Sequence, residues 1–304
     1  MILCCGEALI DMLPRTTQDG EAAFAPYAGG AVFNTSVALG RLGADVGLFS
    51  GISTDMLGEV LIDSLTAANV DTSALNHSDR PTTVAFVKLV DGHATYAFYD
   101  ENTAGRMLTP ADLPQTDADA LFFGGISLVV EPCAIAYEAL LDAKSNDSVT
   151  MIDPNIRPSF ITDEATYRAR LDRMLAKSDI IKLSDEDLFW LSGDGDIPTL
   201  AHGLLDNDAK LVCITQGAEG VTGYTAHHTV QVAAQRVEVV DTVGAGDTFN
   251  AGVLHSLATN NALTKSAITN LSEADIAAAL EMGARTAAIT VSRAGANPPW
   301  AHEL

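Results

Sequence analysis

Basic residues are scarce in this chain of 304 residues, which carries 17 Lys and Arg against 40 Asp and Glu and has a formal net charge of −23. DNA, RNA and anionic membrane surfaces all select basic patches on the proteins that bind them. The charge therefore argues against a nucleic acid or a membrane as a partner. It also repels nucleotides at long range, so a phosphate site here must depend on backbone N–H groups, a few basic side chains and metal ions.

Cysteine is also scarce, and the four cysteines form no C-x-x-C pair. Their apolar neighbours indicate buried strands, so we interpret Cys4, Cys5, Cys133 and Cys213 as reduced core thiols of a cytoplasmic protein. The amino end lacks a basic segment, and no long apolar span follows it. We therefore expect neither a signal peptide nor a transmembrane helix.

Short apolar runs alternate with helix-like segments along the chain. Because strands that are covered on both faces are continuously apolar, these runs predict an α/β doubly wound fold with a mostly parallel sheet between helices. Ligands of such folds bind at the carboxyl ends of the strands. The predicted strands are residues 2–5, 46–50, 120–123, 149–152, 180–183 and 211–215, and the predicted helices are residues 35–42, 57–68, 135–144, 166–177, 185–192 and 247–258.

One region departs from this alternation, because two β-rich runs flank Asp91-Gly92, a strong hairpin signal. Apolar side chains occupy both faces of the predicted hairpin, so an isolated ribbon would not stay soluble. We expect a small β-sheet lid, built from about 12–27 and 82–104, that covers a site with one face and meets a partner chain with the other. The chain is thus predicted to be a single domain over 1–304 that forms a homodimer through this lid.

The most informative stretch joins an apolar run to a small-residue helix through Gly244-Ala245-Gly246-Asp247. Small residues leave the first N–H groups of the helix open, and such groups attract anions. Asp247 can take a proton from a hydroxyl while these N–H groups hold the charge on a transferring phosphoryl group, which indicates a kinase. A turn with an N-cap aspartate is the plainer alternative. The chain has no G-x-x-x-x-G-K-[ST] stretch, so a nucleotide would bind without a P-loop.

A second glycine turn, Gly29-Gly30, precedes another predicted helix and is followed by Asn34. Asn34 could simply cap that helix. Together with Asp11 it also supplies a carboxamide and a carboxylate, which are apt partners for sugar hydroxyl groups. Asp11 and Asn34 are therefore candidate sugar contacts.

From Gly6 to about Trp300 the chain resembles the ribokinase family of carbohydrate kinases, and within it the fructokinase-like branch. The resemblance implies helices around a central sheet with a β lid from separate chain segments. The matching residues are Gly29, Gly30, Asn34, Ser36 and Gly43, then residues 153–158, Lys182-Leu183-Ser184, residues 215–220 and residues 241–247.

The resemblance also implies roles for particular residues. Asp247 is then the catalytic base, with the backbone at Gly244, Ala245 and Gly246 as its anion hole. Glycine near a nucleotide lets the backbone come close to phosphate or ribose, and oxygen ligands suit a hard cation. The implied sugar contacts are Asp11, Gly29, Gly30 and Asn34, the nucleotide-binding residues are Lys182, Ser184, Thr215, Gly217 and Gly220, and the potassium-site residues are Asp241, Val243, Thr290, Arg293 and Gly295.

The family's Asn-x-x-Glu element, which is linked to magnesium and phosphate, appears here as Ser184-Asp185-Glu186-Asp187. Asp187 replaces the longer glutamate and is the magnesium residue that the resemblance implies. Pro299 stands where ribokinase has a hydroxyl group beside the cation, which argues against one potassium ligand. Arg157 lies next to two prolines, where it either pins a loop or contacts phosphate or substrate.

We therefore expect an ATP-dependent kinase that phosphorylates a primary hydroxyl group of a neutral sugar, with fructose as the first candidate. ATP and Mg²⁺ are the expected cofactors, and K⁺ is a further candidate. Kinases of 2-keto-3-deoxygluconate, ribose or a nucleoside are alternatives on the same fold. A non-catalytic sugar-binding regulator is the alternative of a different class, and the intact Asp247 with its glycines argues against it.

Overall fold

The computed structural model describes residues 1–90 and 93–304, which form three β-sheets and the helices that cover them. The strands are β1 (Ile2–Cys5), β2 (Leu9–Thr16), β3 (Ala22–Gly29), β4 (Val46–Phe49), β5 (Gly51–Ser53), β6 (Asn76–Ser78), β7 (Val84–Val90), β8 (His93–Tyr99), β9 (Ala120–Gly124), β10 (Val149–Asp153), β11 (Ile180–Ser184), β12 (Leu211–Thr215), β13 (Val221–Tyr224) and β14 (Thr229–Val232). The helices are α1 (Ala31–Arg41), α2 (Met56–Ala67), α3 (Cys133–Lys144), α4 (Glu164–Leu175), α5 (Asp185–Ser192), α6 (Ile197–Leu205), α7 (Ala245–Thr259), α8 (Lys265–Ile268) and α9 (Glu273–Val291).

The central sheet has the strand order β14-β13-β12-β11-β10-β9-β1-β4. Strands β12 to β4 in this order run parallel, whereas β13 and β14 pair antiparallel at one edge. The predicted mostly parallel α/β sheet is confirmed, and all six predicted strands occur within one or two residues of their predicted ends. Burial on both faces explains why their sequences are continuously apolar.

Two hydrophobic cores lie on opposite faces of the central sheet, and β1 contributes to both. Ile2 and Cys4 pack into the core that includes side chains of α1, α7 and α9, while Leu3 and Cys5 pack into the core that includes α3 and α4. Alternation along a strand sends neighbouring side chains to opposite faces. All four cysteines of the chain are buried and free, as predicted.

The four-stranded second sheet, which we call the side sheet, has the strand order β3-β2-β7-β8. Strand β2 pairs antiparallel with β3 and parallel with β7, and β7 pairs antiparallel with β8. Both strands of the expected hairpin therefore occur, while the expected Asp91-Gly92 turn lies outside the described residues. The remaining sheet is formed by β5 and β6, which pair parallel.

The helices agree with the sequence to different degrees. Helix α5 matches its predicted bounds, but α1 begins at Ala31, four residues before its predicted start. The long helix α9 and the shorter α6 were not predicted, although Ser272 and Asp275 form a capping box at the start of α9. Within the two described ranges, no helix has both the length and the apolar character needed to cross a bilayer.

Candidate functional site

A cleft of about 270 Å³ opens at the carboxyl ends of the central strands, below the side sheet. The loops after β1, β9 and β10 form its floor, strands β2 and β8 contribute from the side sheet, and the start of α7 closes one end. This is the position that doubly wound folds use for ligands. The residues that line it are Glu7, Leu9, Asp11, Gly30, Ala31, Asn34, Phe98, Gly125, Ile126, Asn155, Arg157 and residues 242–247.

Asp247, the candidate base, lies in the first turn of α7 and is only 7% exposed. Its Oδ2 atom accepts a hydrogen bond of 2.9 Å from Nδ2 of Asn34, in the first turn of α1. Burial raises the pKa of Asp247 to about 7, although the hydrogen bond from Asn34 acts in the opposite direction. A carboxylate with a pKa near neutrality is suited to accept a proton at neutral pH.

The start of α7 has the geometry expected for an anion site. Gly244 is the N-cap residue with φ of 78°, a left-handed conformation that glycine adopts without strain. The first N–H groups of a helix have no acceptor within the helix, and they point out of its end. The Lys182 Nζ atom lies 3.2 Å from the position that a Cβ atom on Gly246 would take, so a positive charge lies close beside these N–H groups.

The two early sugar candidates lie where the side sheet meets the cleft. Asp11 is in β2, beside Gly29 in the paired strand β3, and burial raises the pKa of Asp11 to about 6. Gly30 ends this hairpin and is the N-cap residue of α1. Asp11 and Asn34 are 23 residues apart in the sequence, yet both line the cleft. The β2–β3 hairpin brings the chain back beside the start of β2, which places the two residues close together.

Lys182 belongs to a buried polar cluster that the sequence only partly revealed. Its Nζ atom is 3.0 Å from Oδ2 of Asp153, which also accepts a hydrogen bond of 2.7 Å from Nδ2 of Asn250. Burial alone would lower the pKa of Lys182, but the charge and the hydrogen bond of Asp153 outweigh this effect. The pKa of Lys182 therefore lies above its usual value, and Lys182 is charged at neutral pH. Asn250 was missed as a candidate, although it lies three residues after Asp247 on α7 and thus near the same face.

The other nucleotide candidates lie at the ends of two neighbouring strands, outside the residues that line the cleft. Ser184 and Thr215 are register partners at the ends of β11 and β12. Ser184 caps α5 by accepting a hydrogen bond of 3.0 Å from the Asp187 N–H group. Gly217 and Gly220 follow in the turn after β12 with φ of 52° and 105°. This group adjoins the cleft through Lys182, which lies next to Gly246.

The magnesium candidate Asp187 is buried, and its Oδ1 atom accepts a hydrogen bond of 3.1 Å from the Ile156 N–H group. Burial raises the pKa of Asp187, and the nearby charge of Asp153 adds to the rise. Across residues 1–90 and 93–304, no group of three or more His, Cys, Asp or Glu side chains is arranged to hold a metal ion. A pair of carboxylates without a full protein cage is nevertheless typical of Mg²⁺ sites that are completed by substrate phosphates.

Four of the five potassium candidates lie beside the start of α7. The Asp241 carboxylate accepts hydrogen bonds from the N–H groups of Val243, at 3.1 Å, and Gly295, at 2.9 Å, and so joins two loops. The Thr290 hydroxyl group donates to Thr286 O at 3.0 Å and contacts the hydroxyl group of Thr248, in the first turn of α7. The Arg293 guanidinium forms an ion pair of 2.6 Å with Glu303, so this side chain is directed to the carboxyl-terminal turn.

Arg157 lies at the cleft, so the sequence-based alternative of a substrate or phosphate contact stays a prediction, while its own hydrogen bonds hold its loop. It lines the cleft, and its Nη1 atom donates a hydrogen bond of 3.1 Å to Ile156 O in its own loop. Sequence reasoning missed other lining residues, in particular Glu7 and Phe98. Phe98 in β8 packs against Phe160 with ring centroids 4.8 Å apart, and only the folded side sheet brings it to the cleft. The signal available for Glu7 was its position just after the apolar strand at residues 2–5, at the carboxyl end where ligands of such folds bind.

Comparison with known proteins connects this geometry to a family. Residues 1–303 match the family described as pfkB family carbohydrate kinase. A fructokinase of Rhizobium leguminosarum bv. trifolii is 59% identical over 275 residues, which cover 90% of this chain and 84% of that protein. A probable fructokinase-7 of Arabidopsis thaliana is 33% identical over 312 residues, which cover 98% of this chain and 89% of that protein.

The fold of this chain is also similar to the folds of solved fructokinase structures. A fructokinase from Xylella fastidiosa with bound ATP has a TM-score of 0.89 and 30% sequence identity, covering 97% of this chain and 93% of that one. A fructokinase from Vibrio cholerae O395 in a form with bound fructose, ADP and calcium ion has a TM-score of 0.85 and 25% identity, covering 97% and 94% of the two chains.

Proposed function

Because the chain belongs to the pfkB family of carbohydrate kinases, we propose that it transfers the γ-phosphoryl group of ATP to a primary hydroxyl group of fructose. The observation that carries this proposal is the buried Asp247 carboxylate at the start of α7, held by Asn34 at the end of the cleft. The choice of fructose is supported by the 59% identity to a Rhizobium fructokinase.

In the proposed reaction, Asp247 accepts the proton of the sugar hydroxyl group as its oxygen attacks the γ-phosphorus. The bond between this phosphorus and the bridging oxygen of ADP breaks, and ADP leaves. The N–H groups at Gly244, Ala245 and Gly246, with the nearby Lys182 ammonium, stabilise the negative charge on the transferring group. Asp11, Gly29, Gly30, Asn34 and Arg157 orient the sugar, which converts the attack into a step between held groups.

The proposed nucleotide site follows the ends of β11 and β12, at Lys182, Ser184, Thr215, Gly217 and Gly220. Asp187 and the neighbouring Asp153 would hold Mg²⁺, which supplies charge neutralisation for the phosphates when it is bound. The loop that Asp241 joins to Gly295 would hold K⁺, with Val243, Thr290 and Arg293 as its remaining candidates. The Xylella fructokinase structure contains bound ATP, and structures of the Vibrio fructokinase contain a calcium or a potassium ion, which supports the use of ATP and metal ions here.

The side sheet is proposed to act as a lid and as a dimer interface. Phe98 faces the cleft, while the next residue of β8, Tyr99, is 64% exposed on the opposite face. There, Phe24, Phe86 and Tyr99 form a row with ring centroids 5.0 Å and 5.6 Å apart. An exposed row of aromatic side chains on so acidic a protein is a candidate interface with another chain. In a twofold dimer the same face of both copies forms the contact, so this row would pack against the same row of a second copy.

Sugar-dependent ADP release tests the proposal directly. Purified protein with ATP and MgCl₂ is assayed with fructose, ribose, 2-keto-3-deoxygluconate and a nucleoside, and the product is examined by proton-coupled ³¹P NMR. We expect the highest kcat/KM with fructose and a phosphate signal that is split by a CH₂ group. Turnover only with another substrate would reassign the specificity within the fold. Binding of fructose without turnover of any substrate would favour a sugar-binding regulator.

A further inference from the structure

The Glu7 side chain lines the cleft but has no part in the proposed transfer step. Glu7 follows β1 and is 8% exposed. Its Oε1 atom accepts a hydrogen bond of 2.9 Å from the Ala31 N–H group, and its Oε2 atom accepts one of 3.3 Å from the Ser127 N–H group. One buried carboxylate therefore connects the start of α1 with the loop after β9.

Helix α1 needs such a partner because its own N-cap residue is Gly30, which has no side chain for capping. The first N–H groups of a helix are normally satisfied by a local Ser, Thr, Asp or Asn. Here the Glu7 carboxylate takes the Ala31 N–H group, and the Glu7 carbonyl oxygen accepts the Phe33 N–H group at 3.3 Å. Glu7 thus caps α1 from a separate segment of the chain, 24 residues earlier.

The surrounding backbone leaves space for Glu7 in two places. A Cβ atom on Gly30 would lie 3.0 Å from the Glu7 carbonyl oxygen, and a Cβ atom on Gly125 would lie 2.0 Å from Glu7 Oε1. Both glycines also have positive φ, 107° and 69°, so other residues would be strained there. The Glu7 carboxylate therefore fits only because both neighbouring turns have glycine, without a side chain, at Gly30 and Gly125.

The capped end of α1 is also the end that holds the candidate base. At this end of α1, Asn34 donates to Asp247 Oδ2, and the Thr35 hydroxyl group donates to the Asp247 carbonyl oxygen at 3.1 Å. We propose that Glu7 is a positioning residue, which fixes the first turn of α1 and thereby the direction of the Asp247 carboxylate and of the sugar contacts at Gly30 and Asn34. This inference rests on the proposed function of that site.

Steady-state kinetics with fructose and ATP varied separately tests the inference. In Glu7→Ala, an unpaired amide and a loose helix start are expected to raise KM for fructose about tenfold and to lower kcat about tenfold. KM for ATP is expected to stay close to the wild-type value, because the proposed nucleotide site lies at the ends of other strands. Glu7→Gln keeps an oxygen that can accept the Ala31 N–H bond, so it is expected to recover most of both losses.

Asp196→Ala is the matched control, since Asp196 caps α6 through the Thr199 N–H group at 3.2 Å and lies outside the residues of the cleft. It removes a carboxylate that caps a helix away from the cleft, and it is expected to leave all kinetic constants unchanged. Glu7→Asp keeps the charge but shortens the side chain, and it is expected to share the direction of the Glu7→Ala defect. This variant decides the question if Glu7→Ala does not fold.

Wild-type constants in folded Glu7→Ala or Glu7→Asp would overturn the positioning role, as would an equal rise in both KM values. Asn34→Ala separates this failure from a failure of the proposed function. If Asn34→Ala impairs turnover while the Glu7 variants do not, only the inference about Glu7 is wrong. If Asn34→Ala also has wild-type kinetics, the assignment of the site itself is wrong, and the inference about Glu7 falls with it.

Discussion

Replacing Asp247 with asparagine removes the proposed base while keeping the shape of the side chain. The asparagine Oδ1 atom can still accept the hydrogen bond that Asn34 donates to Asp247 Oδ2 at 2.9 Å. The fold and the sugar contacts are therefore expected to survive the change. What is lost is the ability to accept a proton from the attacking hydroxyl group.

The size of the loss follows from the chemistry of the site. General base catalysis contributes about 10²- to 10⁴-fold to a rate, so kcat of Asp247→Asn is expected to fall by that factor. This corresponds to a rise of about 3 to 5 kcal/mol in the activation free energy. Because the pKa of Asp247 is raised to about 7, an appreciable fraction of the wild-type protein has the base ionised at neutral pH. The full difference between variant and wild type is therefore expected at pH 8 and above.

The assay is the initial rate of fructose-dependent ADP release at saturating ATP, with fructose binding measured independently by calorimetry. Asp163→Asn is the control, because it makes the same change at the exposed N-cap of α4 and is expected to leave kcat unaltered. A folded Asp247→Asn protein that binds fructose and turns over within about tenfold of wild type would refute the role of Asp247 as the base.

The remaining predictions concern pH, the anion site and the side sheet. Because its pKa is raised to about 7, Asp247 is protonated below that pH, and kcat/KM of the wild type is expected to fall as the pH drops below about 7. A pH profile that is flat down to about pH 5 would contradict the role of Asp247 as the base. Gly246→Ala would place a methyl group 3.2 Å from Lys182 Nζ, so it is expected to lower kcat about tenfold in the same rate assay, whereas an unchanged kcat would argue against the anion site. Phe24→Ser combined with Tyr99→Ser is expected to convert a dimer into monomers in sedimentation velocity, with exposed Val60→Ser as control, and an unchanged sedimentation coefficient would remove the side sheet as the interface.

Much of the central sheet was predictable because burial leaves a direct trace in sequence. Strands such as β9 and β12 are covered on both faces, so their residues are continuously apolar. Helix α9 was missed because its contact with α7 is made by small residues. Gly252 and Gly283 approach so closely that a Cβ atom on Gly252 would lie 2.7 Å from Gly283 Cα. Close packing of this kind gives no strong apolar period for a sequence pattern to reveal.

The start of α1 illustrates a second limit of sequence reasoning. The helix begins at Ala31, four residues before the predicted start, because its cap is supplied by Glu7 and not by a neighbouring residue. A cap that comes from another segment has no local signature. The same is true of Phe98, whose place at the cleft depends on how the side sheet is folded. In contrast, Asp247, Asn34 and Asp11 could be named as candidates in advance, because Asp247 lies in a glycine turn suited to phosphoryl transfer and the other two pair a carboxylate with a carboxamide, and all three line the cleft.

The hydrogen bond between Asn34 and Asp247 also has a consequence for how the protein acquires its activity. It joins side chains that are 213 positions apart in the chain. Contacts of such long range form late, because the entropy of closing a large loop is recovered only when most of the intervening structure is in place. Catalytic turnover should therefore return last during refolding from denaturant, after helical circular dichroism has already recovered, and it can serve as a strict measure of complete folding.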